Sequence, residues 1–195
     1  MEWYSIGAFS FPSTWGALVA AFFITGLFLR LYYGKDHYDW FGNSVFWFIL
    51  TWKFSVILFD FTSVINQPLS ILYFNGGMKG FWLGIAVALI YIYIKGEKEH
   101  LFSAWVLVVL VYEGAAEFLA DSASILSAVN ILAGFILFYL LLTKEKRELW
   151  LGLFIALQML VNYVQGTLVS TESMAFLIVT AAVLAIYRLR RNSHE

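Results

Sequence analysis

Two carboxyl groups, Glu113 and Glu117, lie inside an apolar run that begins at Leu101. If that run is helical, their i, i+4 spacing puts both on one face, one turn apart. Ionisable groups at membrane depth are costly, so such a pair is expected to face the protein interior, find a partner and mark a functional cavity. Adjacent carboxyl groups in a low dielectric also resist double ionisation, so the pair would hold one proton between them. Lys53, well inside a second apolar run, is the natural counter-charge for Glu113 or Glu117. Its alternative is to snorkel to an interface. Breaking a buried pair would cost roughly 3–5 kcal/mol, because the remaining charge is left alone. A third set, Gln158, Asn162 and Gln165, is spaced i, i+4, i+7 and forms one helical stripe. Such amides act as interhelical glue worth about 0.6 kcal/mol each, or line a cavity for water or a lipid headgroup. The candidate site is therefore Lys53, Glu113, Glu117, Gln158, Asn162 and Gln165. Only Glu113, Glu117 and Lys53 could serve in catalysis, and spacing places no nucleophile beside them.

The rest of the chain must hold these groups within a membrane. The sequence is 62% hydrophobic and 13% charged, with a mean hydropathy of +0.79. Soluble domains average about 45–50% apolar and about 25% charged. The chain thus reads as an all-α integral membrane protein. The net charge of −1 argues against nucleic acid as a partner. The absence of cysteine removes disulfides, thiol redox chemistry and thiolate metal sites. His37, His100 and His194 flank charged loops or the tail, so no histidine metal site is expected, and no cofactor motif is present. Met1-Glu-Trp-Tyr-Ser5 lacks the basic region of a signal peptide, so the first hydrophobic segment is expected to be retained.

Residues 1–195 form one membrane domain in this reading, with seven transmembrane helices at about 14–33, 41–59, 80–94, 101–120, 122–143, 149–165 and 173–187. A hydrocarbon core about 30 Å thick needs roughly 20 apolar residues per helix. The aromatic stretch before Thr14 could lie in the interface. Residues 60–79, with Asn66-Gln-Pro68 and Asn75-Gly-Gly77, are too broken to span and read as a loop or half-inserted piece. Small residues at Gly114, Ala115, Ala116, Ala128, Ala133 and Gly134 would let the fourth and fifth helices approach closely. Seven spans place Arg30, Lys35, Lys95, Lys98, Lys144, Lys146, Arg147, Arg188, Arg190 and Arg191 on one side, with Lys79 on the other. The positive-inside rule then puts the N-terminus outside and the C-terminus in the cytoplasm.

Several stretches resemble, in order, the motifs of the prolipoprotein diacylglyceryl transferase (Lgt) family. They are Thr14-Trp-Gly16, Trp52-Lys-Phe-Ser-Val-Ile-Leu-Phe59, Gln67-Pro-Leu69 and Asn75-Gly-Gly-Met78, with weaker echoes at Gly152-Leu-Phe154 and Glu172-Ser-Met174. The resemblance implies a seven-helix bundle with an outside N-terminus in the bacterial cytoplasmic (inner) membrane. The departures fall on the chemistry. The family's essential histidine corresponds to Gly80 or Phe81, and its helix 2 arginine to Lys53. A second arginine corresponds to Glu117 within Ala115-Ala-Glu-Phe-Leu-Ala-Asp121, and a late Arg/Glu/Arg set to Gln158, Asn162 and Gln165. The extracytoplasmic head shrinks to Asp121-Ser-Ala-Ser124.

A transferase acting on an anionic phospholipid needs a cationic site, and here the implied cavity has changed sign. The expectation is therefore an Lgt-like protein with a lipid-accessible polar cavity, binding a membrane lipid or a membrane or lipoprotein partner without the usual diacylglyceryl transfer. A divergent lipid or lipoprotein transferase using Glu113 or Glu117 with Lys53 is the alternative. A small proton- or cation-coupled transporter or transporter subunit is a second one.

Overall fold

The computed structural model describes residues 3–6, 9–35, 37–67, 71, 75–120 and 124–192. After a short N-terminal hairpin the described residues are helical. Among the described residues, six helices are long and apolar enough to cross a membrane. The chain divides into two compact units, Met1–Tyr33 with Lys98–Glu195, and Gly34–Glu97.

The first unit opens with strands β1 (Trp3–Ile6) and β2 (Phe9–Pro12), antiparallel with Trp3 opposite Pro12 and Ile6 opposite Phe9. Aromatic residues favour strands, a preference the sequence reading of this stretch did not use. Pro12, in an extended conformation, ends the hairpin and precedes α1 (Ser13–Tyr32). The unit continues with α6 (Leu101–Leu119), α7 (Ile125–Thr143), α8 (Arg147–Val164) and α9 (Thr171–Asn192).

Helix α6 is the centre of this unit. Half of its span is buried, against 28% or less for each of the other five membrane-length helices, and α1, α7, α8 and α9 all pack on it. Residues 101–104 and 106–110 are buried. Helix α1 offers Ala17, Ala21, Thr25 and Leu29, a fully buried i, i+4 stripe of mostly small side chains. Trp105 Nε1 donates to Thr180 Oγ1 of α9 at 2.8 Å, and Phe102 lies 4.4 Å from Tyr187 by ring centroids. At the end of α1, Tyr33 donates to Ser103 Oγ at 3.3 Å. Burial holds its phenol above the ordinary value, only partly opposed by that hydrogen bond, so Tyr33 remains a neutral donor. Gly134 of α7 abuts the buried Leu110 of α6. It is one of the close approaches expected from the small residues.

Sequence explains where these helices start and stop. Ser124 caps α7, its Oγ accepting from the Ser127 N–H at 3.1 Å. Helix α8 stops at Gly166, whose φ of +69° is a left-handed conformation suited to glycine. Helix α9 starts with Glu172 in its first turn and runs on to Asn192, past the expected end at 187. Arg188 and Arg190 are good helix formers and suit the negative end of the helix dipole.

The second unit contains α2 (Asp39–Phe54), α3 (Val56–Phe59), α4 (Phe61–Asn66) and α5 (Gly77–Lys95). The span expected over 41–59 is one membrane-length helix, Asp39–Phe59, interrupted at Ser55. Ser55 Oγ donates back to the Trp52 carbonyl at 2.7 Å, the kind of local bond that bends a helix. The broken stretch yields the six-residue α4, while 68–70 and 72–74 lie outside the described residues. Helices α2 and α5 pack together. Gly80 is set against Ser55, and Gly84 against Phe48. Phe48, Trp52 and Phe81 form a ring cluster with centroids 5.6–5.7 Å apart. His37 Nδ1 lies 2.6 Å from Glu97 Oε2, joining the two ends of this unit.

The sixth expected span, 149–165, is a helix, α8, of 18 residues, but it is not among the six long and apolar enough to cross a membrane. Arg147 and Glu148 in its first turn, with Gln158 and Asn162 further on, add polar groups along it.

Candidate polar site among α6, α7 and α8

Glu113 stands where α6 passes from its fully buried half to a half-buried one. Asn130 reaches it from the second turn of α7 and Gln158 from α8. Asn130 Nδ2 and Gln158 Nε2 each donate to Glu113 Oε2 at 3.0 Å. Asn130 Nδ2 also donates to Gln158 Oε1 at 3.3 Å. The three side chains close a ring in which one carboxylate oxygen takes two N–H bonds. Asn130 is 5% exposed and Gln158 1%, so the donors meet the carboxylate away from water. Hydrogen bonds to an ionised group are stronger than neutral ones, which offsets part of the cost of burying it.

The ring leaves acceptors over. Both hydrogens of the Asn130 amide are used, yet its buried Oδ1 has no hydrogen-bond partner among the described residues. No described donor reaches Glu113 Oε1 either. An oxygen-only set of one carboxylate and two amides suits hard ligands, a proton or a small cation, rather than zinc or copper.

The other candidate residues are placed differently. Glu117, one turn on, is half-buried and takes no hydrogen bond among the described residues. Asn162 serves the end of α8, where its Oδ1 accepts from Thr167 Oγ1 at 3.0 Å and its carbonyl from the Thr167 N–H at 2.9 Å. Gln165 is the exposed residue that follows α8. The amide stripe divides because α8 ends at Val164, and residues of a last turn must satisfy carbonyls left without partners. Lys53 is half-buried in the last turn of α2, in the second unit.

Asn130 is the residue that sequence reasoning missed. Its signal was available, since an amide within an otherwise apolar span needs a partner. Nothing in the sequence said that the partner would be Glu113, 17 positions away.

No known protein family matches this chain, and no curated protein or solved structure does.

Proposed function

We propose that this chain is an Lgt-like, seven-span protein of the bacterial cytoplasmic membrane, N-terminus outside, which binds a membrane lipid or membrane partner rather than transferring a diacylglyceryl group. The observation that carries this reading is the meeting, within the second unit, of two of the stretches on which the resemblance rests. Trp52 Nε1 donates to the Gly77 carbonyl at 3.2 Å, and the Gly76 N–H donates to the Trp52 carbonyl at 3.3 Å. Asn75 Oδ1 accepts from the Gly77 N–H at 2.9 Å, shaping the turn before α5. Lys53 follows Trp52 directly. Among the positions where the resemblance implies a cation, it alone keeps a positive charge, the sign a lipid phosphate requires.

Binding is favoured over catalysis because the described partners of Glu113 are two amides, and neither is a nucleophile. Native mass spectrometry of the gently solubilised protein tests this reading. A stoichiometric phospholipid is expected, with occupancy falling at least several-fold in Lys53→Met. A bare protein, or one that arrives with a second polypeptide and no lipid, overturns it.

The orientation has its own test, helped by the absence of cysteine. Single cysteines at Val169, which is 83% exposed between α8 and α9, and at Glu145, exposed between α7 and α8, flank the one expected span outside the six membrane-length helices. In intact cells a membrane-impermeant maleimide is expected to label Val169→Cys and to spare Glu145→Cys. Equal labelling would mean that α8 does not cross, and the seven-span topology would fall.

A further inference from the structure

We infer that the Glu113–Asn130–Gln158 ring is a binding site for one unit of positive charge, a sodium ion or a proton, taken up between the Glu113 carboxylate and the Asn130 carbonyl. The inference rests on this ring alone and stands whether or not the protein binds lipid.

Two independent features point to it. The first is charge. Within its own unit no described lysine, arginine or histidine pairs with Glu113. Two amide hydrogen bonds lower the cost of burying a carboxylate but do not neutralise it, and an unpaired charge in a membrane span is costly. The second is the nine-tenths buried Asn130, whose Oδ1 has no donor among the described residues although its amide nitrogen is spent on the ring. A buried carbonyl without a partner keeps its full desolvation penalty. A ligand that brings positive charge to both oxygens removes both penalties. Because a single carboxylate supplies one negative charge, the match is to a monovalent ligand. Calcium takes 6–8 oxygen ligands and magnesium demands near-ideal octahedral geometry.

The groups facing the ring agree with this. Helices α7 and α8 present only the two amides to it. On α6, Glu117 lies one turn away and Tyr112 is adjacent, with Glu172 of α9 facing Tyr112. Arg30, the basic residue in the last turn of α1, lies toward the other end of α6, where Tyr33 meets Ser103. The neighbourhood adds negative charge, which draws a cation and does not supply one.

The test uses the full chain in nanodiscs of one zwitterionic lipid, with sodium chloride exchanged for choline chloride at constant ionic strength and pH. If sodium is the ligand, the melting temperature is expected to rise saturably by about 2–4 °C or more, the shift that roughly 1 kcal/mol produces in a chain of this size. The rise should vanish in Glu113→Gln, and Asn130→Ser should raise the half-saturating concentration at least tenfold. If a proton is the ligand, sodium has no effect. Infrared spectra then show a carboxylic-acid carbonyl band at neutral pH that is absent in Glu113→Gln and displaced in Asn130→Ser. Should Glu113→Gln fail to give monodisperse protein, the wild type and Asn130→Ser decide by the same readouts. No sodium response together with an ionised Glu113 carboxylate overturns the inference. Because the lipid is held constant and the probes are sodium and protons, this failure is distinct from a failure of lipid binding.

Discussion

Replacing Asn130 and Gln158 together by leucine is expected to destabilise the protein by about 3–5 kcal/mol, as in breaking other buried charge arrangements from one side. The double variant strips both donors from Glu113 Oε2 and leaves the carboxylate inside the helices with no described partner. The magnitude separates two accounts of the ring. If the amides were ordinary interhelical glue at about 0.6 kcal/mol per bond, losing the three bonds of the ring would cost only about 1.8 kcal/mol. A loss of several kcal/mol means that they answer a buried charge. Adding Glu113→Leu to the double variant is expected to recover most of the loss, because an apolar set of similar volume is often neutral or stabilising where an ionic one stood. Equilibrium unfolding in one fixed detergent or bicelle mixture measures all three proteins. A loss of about 2 kcal/mol or less, or a triple variant no better than the double, would refute the account.

The second large effect is expected in the other unit. Gly84→Leu should cost at least the roughly 1–3 kcal/mol typical of overpacking, read as a lowered melting temperature. A Cβ at Gly84 would stand 3.0 Å from the Phe48 carbonyl oxygen and 3.1 Å from the Phe48 ring. The carbonyl belongs to the α2 backbone, so a larger side chain can be accommodated only by moving α2 from α5. Gly152 of α8 is the control, since a Cβ there meets nothing within 4 Å. Gly152→Ala is expected to be neutral or to stabilise by up to about 1 kcal/mol through helix propensity. Equal effects at the two positions would show that α2 and α5 do not pack through Gly84.

The elements themselves were largely legible before the structure. Unbroken apolar runs can satisfy their backbone polar groups in a membrane only by becoming helices. The charged turns at 95–100 and 144–148 break these runs, and the helices stop there. The stretch at 60–79 reads as too broken to span, because glycine, proline and asparagine interrupt it, and its described part includes only the short α4 before α5 begins at Gly77. The hairpin at 3–6 and 9–12 was not read, because its aromatic residues serve equally well in a strand or at a membrane interface.

The candidate site was legible only in part. Glu113 and Gln158 stood out because each is a polar group within an apolar run, and that oddity belongs to the residue itself. Their contact with each other and with Asn130 depends on how α6, α7 and α8 are rotated about their axes. That rotation is set by contacts spread over many side chains, among them Gly134 against Leu110. No spacing within a single helix encodes it.

The chain's composition and periodicity thus determined the helices, their approximate ends and the presence of costly polar groups among them, because these follow from local hydropathy and backbone hydrogen bonding. Only the tertiary structure decided that two amides from different helices meet one Glu113 oxygen, while Asn162 bonds at the end of α8 and Gln165 is exposed beyond it. A hydrogen bond between helices needs two rotations and a register to agree within a few tenths of an ångström, and only the packed helices supply that agreement.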